Sequence, residues 1–167
     1  MKTVKIEIPI GYEIDKEKST FEKIVFKKIK SEWIDLGLPS GNLWKNVNEN
    51  GYFTYNDAVE KFKDNLPTIV DFAELIQYCK WEWSPKSKGM IVTGPNKNQI
   101  IFLALGYQDI GYITPFNTES EGCYWSASPT ASYCGNAYFL NICSGIVQSC
   151  LNYTRDFKFS VHCVKHK

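Results

Sequence analysis

The sequence predicts an α+β fold: antiparallel sheets with two helices. Three observations predict it. Residues 68–79 carry a helical apolar stripe behind a capping residue, and a shorter stripe of the same kind precedes them. From Trp81 onward, apolar residues recur with period two or in short runs bounded by turns, the pattern of strands. Aromatics make up 15% of the 167 residues, with ten Tyr, ten Phe and five Trp. Rings in that number suit a β-rich core or a recognition surface, and composition leaves both open.

The elements follow in order. Val4, Ile6 and Ile8 alternate with Lys5 and Glu7 and read as a half-buried strand, stopped by Pro9 and Gly11. Ser19 and Glu22 have capping-box spacing, but Ile24-Val25-Phe26 favours a strand, so residues 21–29 are expected as one. Trp33 to Gly41 reads as a short strand running into the turn Pro39-Ser40-Gly41. The boundary between a strand-rich N-terminal arm, 1–30, and a main domain, 31–167, is expected near Lys30.

The first helix is expected from about Asn56 to Lys63, with Ala58, Val59 and Phe62 as its apolar stripe. The second has Thr68 as N-cap and Asp71 in the first turn, where the helix dipole favours an anion. Ile69, Phe72, Leu75, Ile76 and Cys79 then share one face, which places Cys79 in the core. Strands are expected at Trp81–Trp83, Met90–Thr93, Gln99–Leu105, Tyr124–Ala127, Ala137–Ile142, Gly145–Leu151 and Phe159–Val164. Ser144-Gly145 is a tight hairpin turn between two of them.

Charge and cysteine usage exclude several classes. Net charge is +1, from 19 basic and 18 acidic residues, so no long-range field draws the chain to nucleic acid. The charged N-terminus is not a secretory signal, and Ile100 to Leu105 is too short to span a bilayer. Synthesis in a cytoplasm without a signal peptide, and no membrane insertion, are the expectations. The six cysteines, at 79, 123, 134, 143, 150 and 163, form no CxxC and have no His at ligand spacing. Free thiols, no metal and no cofactor are expected. Five of the six lie after Gly122.

The two ends of the chain differ. Residues 1–35 hold 15 charged side chains, while residues 122–167 hold five. That later stretch also carries six Ser, four Tyr, three Asn and five Cys, a mixture like that of a binding paratope. A Ser/Tyr-rich set of strands with no ligand would have the same composition.

Trp33-Ile34-Asp35-Leu36-Gly37-Leu38-Pro39-Ser40-Gly41-Asn42-Leu43-Trp44 resembles the opening of a large family of gut-bacterial and phage domains, the Fibrobacter-major-paralogue-like domains. Leu66-Pro67-Thr68 resembles their helix start, without its Arg. Tyr124-Trp125-Ser126-Ala127-Ser128, Asn136-Ala137-Tyr138 and the closing Phe159-Ser160-Val161 also match. The likeness covers about residues 33–165, and the arm Ile8 to Asp15 resembles a leader seen before such domains. The resemblance implies a C-type lectin-like fold.

The same family includes the variable proteins of diversity-generating retroelements, in which a reverse transcriptase rewrites adenines late in the gene. Asn codons then become a scatter of Tyr, Cys, Ser, Phe, Gly, Ile, Asp and His. Unmutated relatives are Asn-rich where this chain reads Tyr133, Cys134, Gly135, Cys143, Ile146, Gln148, Cys150, Asn152, Tyr153, Asp156 and Phe157. The resemblance thus implies ligand binding at these positions and accounts for the late cysteines. Ile146, Gln148 and Cys150 have period two and are expected on one solvent-facing side of a strand, with Val147 and Leu151 turned to the core. Ser149 fits that pattern less well. Tyr133, Tyr153 and Phe157 are the expected hot spots.

The chain departs from the family at His162-Cys163, where relatives read Arg-Pro after Phe-Ser-Val; rewritten adenines do not simply turn Pro into Cys. The tripeptides of calcium lectins, Glu-Pro-Asn, Gln-Pro-Asp and Trp-Asn-Asp, are absent, so calcium-dependent sugar binding by the usual route is not expected. Catalysis finds little support. His162 and Cys163 are strand neighbours pointing to opposite faces, His166 lies at a tail end, and Glu119 and Glu121 read as a solvated loop. The expected function is a non-enzymatic binding module, a retroelement-diversified adhesin of a phage or prophage, virion-associated. Its partner would be a protein or glycan on a cell surface, and its arm would serve attachment or homo-oligomer contact. The competing expectations are a fixed structural or virion decoration domain, and a thiol enzyme like the formylglycine-generating enzymes, which share the fold.

Overall fold

The computed structural model describes residues 12–14, 17–20, 22–28, 32–132 and 134–167. The chain divides into two compact units, Met1–Glu32 and Trp33–Lys167. In the first, β1 (Tyr12–Ile14) pairs antiparallel with β2 (Phe26–Lys28). Ser19 Oγ accepts from the Val25 N–H at 2.9 Å and donates to the Val25 carbonyl at 3.2 Å. Ser19 therefore ties a loop instead of capping a helix, and the strand expected over 21–29 is confined, among the described residues, to Phe26–Lys28. Val4, Ile6, Ile8 and the expected boundary at Lys30 lie outside the described residues.

The second unit runs β3 (Trp33–Asp35), β4 (Leu43–Lys45), α1 (Tyr55–Phe62), α2 (Ile69–Tyr78), β5 (Lys80–Ser84), β6 (Gly89–Thr93), β7 (Gln99–Leu103), β8 (Glu121–Pro129), β9 (Asn136–Cys143), β10 (Ile146–Thr154) and β11 (Val164–Lys165). The strands form three antiparallel sheets, β3-β4-β11, β5-β6-β7 and β8-β9-β10. Among the described residues the architecture is α+β with two α-helices.

Local chemistry explains the helices. Thr68 accepts from the Asp71 N–H, and the Asp71 carboxylate accepts in return from the Thr68 N–H at 2.7 Å. That reciprocal pair is a complete capping box. Phe72 and Leu75 bury the inner face, and Cys79 ends the helix half-buried against the core. Thr54 caps α1 through the Asp57 N–H. The buried face of α1 is Tyr55 and Ala58, with Phe62 partly buried; Val59, expected on this face, is exposed. The stripe is displaced because Tyr55, the first helical residue, packs edge-on against Trp125 and donates to the Ala127 carbonyl at 2.8 Å.

Two apolar clusters make up the core. One gathers Trp44, Phe72, Leu75, Phe102, Tyr124, Leu140 and Ile142; the other gathers Tyr55, Leu66, Trp125, Phe139, Phe159 and Val161. Residues 159–164 run between them. The strand expected over Phe159–Val164 makes isolated bridges instead of one ladder, because its two edges meet different segments. On one edge Phe159 exchanges hydrogen bonds with Phe53, Val161 accepts from the Glu49 N–H, and Cys163 accepts from the Lys45 N–H. On the other, Ser160 donates to Cys123 and accepts from Trp125.

His162 is wholly buried in this segment, with its ring stacked on Phe102 at 4.0 Å between centroids. Its Nε2 lies 2.8 Å from the Lys45 carbonyl. A carbonyl can only accept, so Nε2 carries the hydrogen. Nδ1 has no partner, and a second proton there would find no acceptor. Burial therefore lowers the imidazole pKa from 6.5 to about 4, against the smaller opposing pull of the Lys45 carbonyl. The unfolded chain takes up a proton below pH 6.5 and the folded chain does not, so this contribution is complete above pH 6.5. It is lost as pH falls toward about 4. Urea titrations across that window should show a stability loss on the order of 3 kcal/mol from this group. His162→Gln, which keeps a donor for Lys45, should lose that part of the pH dependence; an unchanged profile would place the proton elsewhere.

Candidate functional site

The register of the β8-β9-β10 sheet decides which side chains meet. Glu121 lies opposite Cys143, Cys123 opposite Asn141 and Trp125 opposite Phe139. Across the other edge, Ile146 lies opposite Cys143, Gln148 opposite Asn141, Leu151 opposite Phe139 and Tyr153 opposite Ala137. Directly paired residues point to the same face, so all of these share one side of the sheet. The reverse side carries Tyr124, Leu140, Ile142 and Val147 into the first cluster.

On β10 this face is even-numbered up to Gln148 and odd-numbered from Leu151. The change of parity is a β-bulge: Ser149 and Cys150 together occupy the place opposite Leu140. Cys150 has a φ of 66°. That is the left-handed region, which β-carbon sterics disfavour. The expected common face of Ile146, Gln148 and Cys150 therefore ends at Gln148. Val147 and Leu151, expected on one core side, enter different clusters. Without the extra residue, strict alternation would turn Asn152 to this face and Tyr153 away from it.

A second segment closes over the sheet. Gly106, at φ +69°, donates to the Glu121 carbonyl, and a β-carbon there would stand 1.8 Å from the Phe116 carbonyl oxygen. Only glycine permits that approach. It lets Tyr107 pair with Phe116 and brings the Tyr107 ring to 6.0 Å from Phe157 and 6.3 Å from Phe159. Beyond Tyr107 the loop exposes Ile110, Tyr112 and Ile113.

Between these parts lies a pocket of about 200 Å³. Cys123, Phe139 and Phe159 are its buried floor; Tyr107, Tyr153 and Phe157 are its more exposed rim; Glu121 also lines it. Tyr153 and Phe157 meet edge to face at 4.6 Å. Glu121 Oε1 accepts from Asn141 Nδ2 at 2.6 Å, and Oε2 accepts from Asn117 Nδ2 at 2.7 Å. Cys123 Sγ also approaches Oε1, at 3.9 Å. The Tyr107 hydroxyl is held above its ordinary pKa, first by burial and then by the Glu121 charge.

The expected site residues divide into groups. Cys143, Ile146, Gln148 and Tyr153 share the pocket face, and Phe157 completes the rim. Cys134 and Gly135 sit exposed in the turn before β9, where the Gly135 carbonyl accepts from the Arg155 N–H at 3.0 Å. That bond links their turn to the one holding the exposed Asp156. Asn152 pairs with Tyr138 on the reverse side. Tyr133 lies outside the described residues.

Glu121, expected in a solvated loop, is the half-buried first residue of β8; Glu119 stays exposed in an ion pair with Lys88. His166, expected loose, has Nδ1 at 3.0 Å from the Asp64 carbonyl and Nε2 at 3.1 Å from the Asp71 carboxylate, because β11 pins the tail against β4. Sequence reasoning missed Tyr107, Cys123, Phe139 and Phe159 as site residues. The one local signal was Gly106, which marks a close approach of backbones just before Tyr107.

All six cysteines are free. Burial pushes the Cys123 and Cys163 thiols up to about 12 and Cys79 up to about 11, with carboxylates nearby adding to each. Such thiols supply little thiolate nucleophile. His162 stacks into the first cluster while Cys163 belongs to the second, so the two do not form a pair. Among the described residues no three His, Cys, Asp or Glu side chains are grouped to hold a metal, and no helix is long and apolar enough to cross a membrane. No family model, curated protein or solved structure matches the chain.

Two stability measurements check this geometry. Asparagine and glycine tolerate the left-handed conformation, so Cys150→Asn and Cys150→Gly should raise the unfolding free energy by about 0.5–1 kcal/mol in urea titrations, and Cys150→Val should lower it. A Val variant as stable as the parent would argue against the bulge. Tyr153 is 46% exposed. Tyr153→Ala should therefore cost no more than about 1 kcal/mol; global unfolding would make it a core residue.

Proposed function

We propose that the chain is a non-enzymatic ligand-binding module of the C-type lectin-like fold. Its recognition surface is the β8-β9-β10 face that holds the aromatic pocket. The observation that carries this reading is convergence. Cys143, Ile146, Gln148, Tyr153 and Phe157, singled out by the resemblance to variable proteins, share one face or its rim with an open pocket lined by large rings. Aromatics that keep an exposed side while their bodies are packed are the side chains that anchor partners at low entropic cost.

The backbone at Cys150 supports the further reading that this position is a rewritten asparagine codon. Its φ is 66°. Asparagine adopts that conformation far more readily than cysteine. A position built for Asn and occupied by Cys is what adenine-directed diversification leaves behind. The chain would then be the variable adhesin of a phage or prophage, displaying this face to a protein or glycan on a cell surface. The depressed acidity of the buried thiols weighs against the thiol-enzyme alternative at Cys123 and Cys163.

The gene carries the test. Sequencing the codons from Gly122 onward and the downstream flank should reveal a near-copy that differs only where the copy has adenine. The mismatched codons should include those for Cys143, Ile146, Gln148, Cys150, Tyr153 and Phe157, and spare buried positions such as Leu140 and Ile142. A flank without such a copy removes diversification and leaves a fixed domain. Mismatches spread over buried positions would remove the proposed surface.

A further inference from the structure

We propose that the pocket receives an organic cation: an alkylammonium head, as a lysine side chain, its methylated forms or a choline group would present. This deepens the reading of the β8-β9-β10 face as a binding surface and rests on it. Two features of opposite kind meet in the pocket. Phe139, Phe159, Tyr107, Phe157 and Tyr153 supply aromatic rings, whose electron-rich faces attract a cation and whose bodies favour its alkyl groups over water. Glu121 supplies a full negative charge at the same wall.

Among the described residues, that charge has neutral donors alone. The two carboxylate oxygens accept from the Asn141 and Asn117 amides, with the Cys123 thiol near one of them. A carboxylate offers about four acceptor positions, so room for a further donor remains. The ion pairs and cation–π contacts among the described residues leave both parts unserved. Lys45, Lys80, Lys88 and His166 pair with other acids, and the cations over rings sit on Trp33, Phe53, Phe62 and Tyr55.

Size narrows the ligand class. The pocket holds about 200 Å³. Sites that enclose whole drug-sized ligands are larger, so this volume suits one head group or side-chain tip. An anion would meet Glu121, and a sugar ring would find few polar partners on a floor of Phe139 and Phe159. A cation with an apolar skirt satisfies both parts of the wall at once.

The test compares choline with its uncharged isostere, 3,3-dimethylbutan-1-ol, titrated into the full chain while amide resonances are followed by NMR. Choline should give saturable shifts at Tyr107, Glu121, Tyr153 and Phe157 in the millimolar range, at least about tenfold tighter than the isostere. Glu121→Gln should remove most of that preference, and Phe157→Leu, which keeps the apolar bulk, should weaken choline and spare the isostere. Equal binding of isostere and choline would overturn the cation while leaving a ligand pocket. Absence of shifts with either at these residues would overturn the proposal whatever the variants do. Acetyl-lysine-methylamide, its trimethylated form and phosphocholine then separate the sources. Tighter binding of a lysine derivative supports the cation and points to a protein partner; tighter binding of phosphocholine supports it and points to a choline-bearing surface.

Discussion

The second unit depends on one short segment, 159–164, that is bonded along both edges and buried on both faces. Phe159, Val161 and Cys163 enter one cluster, while His162 stacks on Phe102 and Val164 joins Trp44 in the other. Its backbone ties the stretch 45–53 on one side to β8 on the other. No residue from Phe159 to Val164 is more than 3% exposed. A segment so enclosed must satisfy every backbone group internally, since water does not reach it. The neutral His162 follows from the same enclosure: a second proton, on Nδ1, would have neither solvent nor acceptor.

The pocket is a consequence of that arrangement combined with two local irregularities. The buried segment places Phe159 on the floor beside Phe139. The bulge at Ser149 and Cys150 turns the end of β10 over, so that Tyr153 points to the floor instead of away from it. The left-handed Gly106 lets the long connection between β7 and β8 fold back and lay Tyr107 alongside.

Electrostatics give that concavity a direction. Most polar groups around it, Asn117, Asn141, Cys123 and the tyrosine hydroxyls, are uncharged, and Glu121 is the one charged residue in the lining among the described residues. In a partly desolvated setting a single charge weighs more than it would on the open surface. The same setting keeps the Cys123 thiol protonated, which makes it a packing group and not a nucleophile.

Much of this was legible in the residues. Thr68 with Asp71 announced α2, the stripe Phe72-Leu75 its buried side, and period two the strands of the later half, because capping and amphipathicity are local chemistry. The resemblance to retroelement variable proteins singled out Tyr153 and Phe157. Parity on β10 was legible only as the misfit of Ser149, since a bulge is a relation between two strands. Glu121 read as loop because Asn141, which holds one of its oxygens, becomes a neighbour only when β8 pairs with β9. His166 read as a loose end because Asp71 is far from it in sequence. The sequence by itself determined the class, the helices and the aromatic supply. Only the tertiary structure decided which rings face one another and which carboxylate they enclose, because strand register and chain closure are set by contacts between distant residues.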